Sequence, residues 1–220
     1  MNKIIKNLNA IKENIKIAAD EADRDIDDIK LIIVTKKFTE ERIRPLLDEG
    51  HLFFGENRVQ EAQDKWSNLL DEYDNLELHL IGPLQTNKVK SALELFTSIH
   101  TVDRLNLVDK LVRNEEGIKK IKEFFVQINL ANEKQKSGLL IDELDDFIDK
   151  LEGKLNISGL MCIPPREEEP EIHFAFLNQI AKRINVLKLS MGMSSDFHSA
   201  ILFGATHIRI GEAIMGKRID

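Results

Sequence analysis

Eight short apolar or β-branched runs recur along this chain, separated by segments with helical spacing, and no other feature limits its fold so sharply. The runs are Leu31–Lys36, Leu52–Gly55, Leu76–Gly82, Ser98–Val102, Phe124–Leu130, Ile157–Ile163, Val186–Gly192 and His207–Gly211. Their length and residue types predict buried strands. Helical periodicity fills the intervals: Glu40–Asp48, Arg58–Leu70, Asn87–Phe96, Arg104–Arg113, Asp142–Leu151, Glu171–Ile184 and Ser195–Phe203. A crossover helix after each strand returns the chain to the same edge, so the strands must run parallel. Eight such units in 220 residues, without a composition break or long linker, predict one domain over residues 1–220, a closed (β/α)8 barrel of the α/β class. An open doubly wound sheet is the alternative, but no G-x-G-x-x-G turn follows the first strand. Ahead of that strand, Ile4, Ile5, Leu8, Ile11, Ile15 and Ala18 mark an amphipathic helix. Residues 1–20 are thus expected to form an extra helix packed on the barrel.

Composition narrows the function. A formal net charge of −7 argues against a general nucleic-acid binder, which needs a basic face. No charge-free apolar stretch is long enough to span a membrane, and the N-terminus lacks the continuous apolar core of a signal peptide. One cysteine, Cys162, allows no internal disulfide, which fits a reducing cytoplasm. It lies in an apolar run and reads as a small core residue. No P-loop, HExxH, GxSxG or paired cysteines occur, and His79, His100 and His207 have no metal-ligand spacing, so no metal site is expected. Trp66 and Tyr73 fall outside the expected pocket and read as packing or surface residues.

In such a barrel the chemistry collects at the C-terminal strand ends. The first strand ends at Lys36, just before the acidic helix start Thr39-Glu40-Glu41. A lysine there faces a partly desolvated pocket, where a neutral amine can attack a carbonyl, making Lys36 a candidate Schiff-base lysine. A lysine snorkelling to solvent is the plain alternative. Strand two runs into the polar cluster Gly55-Glu56-Asn57-Arg58, and strand three carries His79. After strands seven and eight, Gly192-Met193-Ser194-Ser195-Asp196 and Gly211-Glu212-Ala213-Ile214 make two flexible strand-to-helix turns, where barrels often hold phosphate. Ser194 or Ser195 is expected to cap its helix in any case. Arg209, two residues before Gly211, points to the same side. If buried, its guanidinium needs an acceptor: an interior carboxylate such as Glu56, or a ligand's ring nitrogen.

A reactive lysine, a phosphate cradle and a neighbouring arginine are the parts of a pyridoxal phosphate site. The chain here resembles the pyridoxal phosphate homeostasis proteins, which share the alanine racemase N-terminal-type barrel (fold type III of the pyridoxal phosphate proteins). The matching stretches run from Val34-Thr35-Lys36 and Phe54-Gly55-Glu56-Asn57-Arg58-Val59-Gln60-Glu61 through His79-Leu80-Ile81-Gly82-Pro83-Leu84-Gln85-Thr86-Asn87-Lys88 and His100-Thr101-Val102-Asp103-Arg104. They continue through Lys136-Ser137-Gly138, Gly159-Leu160-Met161, Leu189-Ser190-Met191-Gly192-Met193-Ser194 and Arg209-Ile210-Gly211, covering nearly the whole chain. The resemblance implies Lys36 as the Schiff-base lysine, with Ser194, Gly211 and Glu212 around the phosphate and Arg209 near the pyridine nitrogen. It implies Asn57, His79 and Met191 along the ring. Two departures stand out. Thr35 replaces a common serine, and Glu212 a frequent threonine, so a phosphate contact at Glu212 should come from its backbone N–H.

An arginine at the pyridine nitrogen disfavours its protonation and weakens the cofactor as an electron sink. A racemase of this fold type needs a second base, a tyrosine from an added β domain. Tyr73 is misplaced for that role, and a chain ending at Asp220 is expected to lack the added domain. The favoured reading is a carrier without catalytic residues. It would hold pyridoxal 5′-phosphate (a vitamin B6 form) reversibly on Lys36, buffer it, and pass it to apo-enzymes. Lys136 is read either as a guide for the anionic ligand or as a plain surface lysine. A racemase-like pyridoxal phosphate enzyme and a cofactor-free lysine aldolase remain as alternatives. The resemblance suggests a monomer or weak dimer.

Overall fold

The computed structural model describes residues 2–133 and 137–217; Lys136 lies outside them. Nine strands run along the described chain: β1 (Lys30–Val34), β2 (Phe53–Glu56), β3 (Glu77–Leu80), β4 (Ser98–Val102), β5 (Glu123–Asn129), β6 (Leu139–Leu140), β7 (Gly159–Met161), β8 (Lys188–Ser190) and β9 (His207–Ile210). All pairings are parallel, in the order β4-β3-β2-β1-β9-β8-β7-β5, and β4 pairs with β5 to close an eight-stranded barrel. Closure removes the sheet edges, so each ladder strand finds two neighbours. The short β6 extends from β5 alone and had no signal in the apolar pattern.

The helices are α1 (Lys3–Glu21), α2 (Glu40–Asp48), α3 (Val59–Glu72), α4 (Val89–Leu95), α5 (Leu105–Val112), α6 (Glu115–Ile118), α7 (Leu144–Leu151), α8 (Pro170–Arg183), α9 (Phe197–Leu202) and α10 (Glu212–Met215). Asn2 starts α1 by accepting the Ile4 N–H at 3.0 Å, and the face Ile4, Ile5, Leu8, Ile11, Ile15 and Ala18 is buried as its spacing predicts. That face packs on α9, α10 and α2, placing the extra helix on the barrel's outer layer beside the last two units. Arg24 reinforces the seam by donating to the Ile201 and Ala205 carbonyls at the end of α9, at 3.0 and 2.8 Å.

Strand alternation splits the molecule into two layers. On β1, Leu31 and Ile33 join the helix-facing core, while Lys30, Ile32 and Val34 face the barrel interior. The interior is not an apolar plug. At the N-terminal end, Lys30 and Lys122 bind Glu77 at 2.8 and 2.7 Å, and Lys188 and His207 bind Glu123 at 2.5 and 3.1 Å. Above this network His100 stacks on Phe125 with ring centroids 4.2 Å apart, and His79 and His207 pack edge-on to His100. The bottom is closed by charge pairing, and the mouth at the other end is left for the site.

Candidate functional site at the barrel mouth

Lys36 leaves β1 on the interior side, in step with Ile32 and Val34, and lines a pocket of about 750 Å³ at the C-terminal mouth. Asn57 and Arg209 line the same pocket, and Ser194, Gly211 and Glu212 line it from the loops after β8 and β9. Six of the residues expected at the site from sequence therefore share one cavity: Lys36, Asn57, Ser194, Arg209, Gly211 and Glu212. A smaller cavity of about 290 Å³ adjoins it across Asn57, Ile81 and Ile163 and reaches Gln127 and Asn129. The sequence expectation lacked Val34, Ile81, Ile163 and Met193, apolar wall residues whose signal was only their place at strand ends.

His79 and Met191 are not placed with them. His79 is fully buried one layer below the pocket, with Nδ1 3.0 Å from His100 Nε2. Two steps along β3, Ile81 takes the pocket wall instead. Met191 follows Ser190, which points into the barrel, so alternation turns Met191 outward into the helix-facing core, and Met193 reaches the pocket in its place. In each case the residue two positions further along the chain, Ile81 or Met193, lines the pocket.

Arg209 is buried at the pocket floor, donating from Nη1 to Ser190 Oγ at 2.6 Å and from Nη2 to the Cys162 carbonyl at 2.8 Å. Glu56 is not its partner. It points the other way, into the helix layer, where Oε1 accepts from Thr35 Oγ1, Lys65 Nζ and Trp66 Nε1 at 2.7, 2.8 and 3.0 Å. Trp66 is thereby a fully buried core residue with its N–H satisfied. Burial pulls the Arg209 pKa below its ordinary value, with Asp196 and the Cys162 side opposing, but a guanidinium stays charged. Burial also pushes the Cys162 thiol up to about 12, so it is an inert core thiol.

A chain of polar groups runs beneath the pocket from Arg209. Ser190 Oγ accepts from Arg209, and its own buried proton is satisfied by donation to His100 Nδ1, 2.8 Å away. His100 is then protonated on Nε2 and donates to His79 Nδ1 at 3.0 Å. His79 carries its proton on Nε2, which faces Glu77 Oε2 at 3.7 Å, too long for a hydrogen bond. Burial lowers the pKa of His79 to about 4 and that of His100 well below its usual value, so both rings are neutral, as one donor and one acceptor nitrogen on each requires. The chain supports Arg209 from below through neutral groups and leaves its charge facing the pocket.

Neither serine caps its helix as expected. Asp196 is the N-cap residue of α9, and its Oδ1 accepts the Met193 N–H at 2.6 Å inside the loop. Ser194 instead joins the two turns, its Oγ accepting from the Ala213 N–H at 3.4 Å. This loop-to-loop contact brings the hydroxyl and the β9–α10 turn together at the pocket wall. The donor set fits a phosphorylated pyridine aldehyde: an amine, a buried cation, and small-residue turns bearing a hydroxyl. Among the described residues, no group of three or more His, Cys, Asp or Glu could hold a metal ion, and no helix is long and apolar enough to cross a membrane.

A parallel eight-stranded barrel carrying a lysine and a buried arginine at its mouth is the architecture of the pyridoxal phosphate barrels. The family model for the alanine racemase N-terminal domain matches residues 6–218. The pyridoxal phosphate homeostasis protein of Escherichia coli K12 is 36% identical over 229 residues, covering 99% of this chain and 98% of its own. That of Aquifex aeolicus is 36% identical over 222 residues, covering 96% of each chain. Among solved structures, PipY of Synechococcus elongatus superposes with a TM-score of 0.80 without pyridoxal phosphate and 0.79 with it bound; in both it is 33% identical and covers 86% of this chain and 93% of PipY. Alanine racemase from Acinetobacter baumannii shares the fold at a TM-score of 0.74, 15% identity, and 96% of this chain against 60% of its own. The chain belongs to the alanine racemase N-terminal domain family and, within it, to the pyridoxal phosphate homeostasis proteins.

Proposed function

We propose that this protein binds pyridoxal 5′-phosphate reversibly at the barrel mouth, anchors it covalently through Lys36, and serves its storage and delivery in the cell. The observation that carries the reading is the convergence of Lys36, Arg209, Ser194 and Gly211 on one open pocket. The ligand's aldehyde supplies an electrophile for a primary amine, and its phosphate supplies a dianion. Lys36 provides the amine. Ser194 and the Gly211–Glu212 backbone would take the phosphate end, through backbone N–H groups, since the Glu212 carboxylate would repel a dianion. Arg209, charged and held from below by Ser190, discourages a proton on any ring nitrogen beside it and so keeps the ligand a weak electron sink.

Storage is favoured over turnover by the position of the base a racemase would need. The sequence has one tyrosine, Tyr73, and its hydroxyl donates to Asp48 at 2.8 Å on the exposed end of α3, away from the pocket. Proton exchange at the α-carbon of added amino acids in heavy water tests this: robust exchange would establish a racemase-like activity instead. Apo-enzymes that use the cofactor are its proposed recipients.

The binding claim is tested by absorption spectra of wild type and Lys36→Ala with added pyridoxal 5′-phosphate. The wild type should develop a visible band that borohydride fixes to the protein, and the variant should not. Equal spectra would return Lys36 to an ordinary strand-end lysine.

A further inference from the structure

Lys36 occupies the corner of a tight turn. The Phe38 N–H donates to the Thr35 carbonyl at 3.1 Å, closing a four-residue turn with Lys36 and Lys37 at its centre. Lys37 has φ +65°, a left-handed conformation that is strained for a non-glycine residue. A turn that favours glycine or asparagine at this place is thus built from two lysines.

Side chains of α3 hold both peptide groups that flank Lys36. Lys65 Nζ donates to the Thr35 carbonyl at 2.8 Å, fixing the peptide before Lys36. Glu61 Oε1 accepts the Lys37 N–H, fixing the peptide after it. Lys65 also binds Glu61 at 3.2 Å and Glu56 at 2.8 Å, and Glu56 takes the Thr35 hydroxyl, so the two grips form one network. Glu56 is fully buried, and its Oε2 has no hydrogen-bond partner. A half-satisfied buried carboxylate is a costly way to gain stability, which argues that the network is kept for placement.

We propose that Lys65 and Glu61 are positioning residues for Lys36, clamping the two peptides of its turn so that its amine enters the pocket in the orientation that condenses with the ligand's aldehyde. The inference rests on the proposed function. In the step concerned the lysine nitrogen bonds the aldehyde carbon and one water leaves, with no oxidant or reductant involved. The clamp touches neither reactant; it acts through the backbone, and a fixed reacting geometry is worth orders of magnitude in rate.

The test compares an aldehyde ligand with one that cannot condense. Glu61→Ala, Glu61→Gln, Lys65→Met and Lys65→Arg are each mixed with pyridoxal 5′-phosphate, and the growth rate of the visible band is measured. Binding of pyridoxine 5′-phosphate, which bears an alcohol in place of the aldehyde, is measured by calorimetry. Glu61→Ala and Lys65→Met should slow band growth roughly ten- to hundredfold while leaving alcohol binding unchanged. Glu61→Gln, which still accepts the Lys37 N–H, should recover most of the rate. Equal weakening of both ligands, or wild-type rates in the alanine variant, overturns the clamp. Should Lys65→Met fail to fold, the Glu61 pair decides alone, since that side chain is partly exposed. A wild type that forms no band overturns the proposed function first, and the clamp with it.

Discussion

At Gly82, a Cβ would lie 2.2 Å from the Asn57 carbonyl oxygen and 2.7 Å from its Cα, so the β3 end and the β2–α3 turn meet backbone to backbone. Gly82→Ala must push Asn57 out of the pocket wall. We expect a loss of about 1–3 kcal/mol in urea unfolding, together with weaker pyridoxal 5′-phosphate binding; unchanged stability and affinity would show that the turn can shift freely. Ser190 is a second such point. Removing its hydroxyl leaves Arg209 Nη1 and His100 Nδ1 without their bridge. Ser190→Ala should cost about 1–3 kcal/mol, the usual penalty for orphaned buried polar groups, with the fold intact by circular dichroism. Neither effect was readable from the chain, where Gly82 was one residue of a matching stretch and Ser190 one of a strand.

At the scale of elements, alternation explains which of the expected residues reach the pocket and which do not. Lys36 and Arg209 both line the pocket because each ends or lies in an apolar run, and inward-facing positions follow from parity once one is fixed. His79 lies beneath the pocket because a strand near the mouth has interior positions at more than one height, which parity alone cannot separate, whereas Met191 lies outside it because its parity is opposite to that of Ser190. The serine caps failed for a related reason: the loop closed on itself through Asp196, and Ser194 was left to reach across to the next turn. The N-terminal helix was fully legible, since its apolar spacing is the face it buries. Leu8, fully buried at the centre of that face, is its best probe. Leu8→Ala should destabilise the protein by about 2–5 kcal/mol, and a change below 0.5 kcal/mol would show that α1 is not integral to the barrel.

For the molecule as a whole, the polar interior makes stability depend on pH. Burial lowers His51 and His79 each to about 4, so in the fold both are neutral above that value, while the unfolded chain protonates them near 6.5. The unfolded state binds more protons between pH 6.5 and 4, so stability rises with pH through that window and falls on acidification. The carboxylates act in the same direction at lower pH. Its contacts with His79, Lys122 and Lys30 hold Glu77 below the usual range; against burial, which would raise it, His207, Lys188 and Lys30 do the same for Glu123. Their contribution is present above the unfolded carboxylate pKa and is lost as pH falls below it. We therefore expect the Tm to drop steadily below pH 6.5. His51→Asn, remote from the pocket, should flatten that slope by up to about 3 kcal/mol at pH 4, and a parallel curve would refute the assignment.

The sequence by itself determined the barrel and its extra helix, and it pointed to the ligand class proposed for the site. Periodicity is a local property, and Lys36, Arg209 and the two glycine turns sit at ends that periodicity defines. Tertiary structure decided which interior layer each polar residue occupies, and with it the burial of Arg209 on Ser190 and the histidine stack below. It also decided that Glu56 faces outward and that α3 grips the lysine turn. The reason is that barrel closure sets the stagger between strands, so groups distant in the chain meet at a height that no single strand encodes.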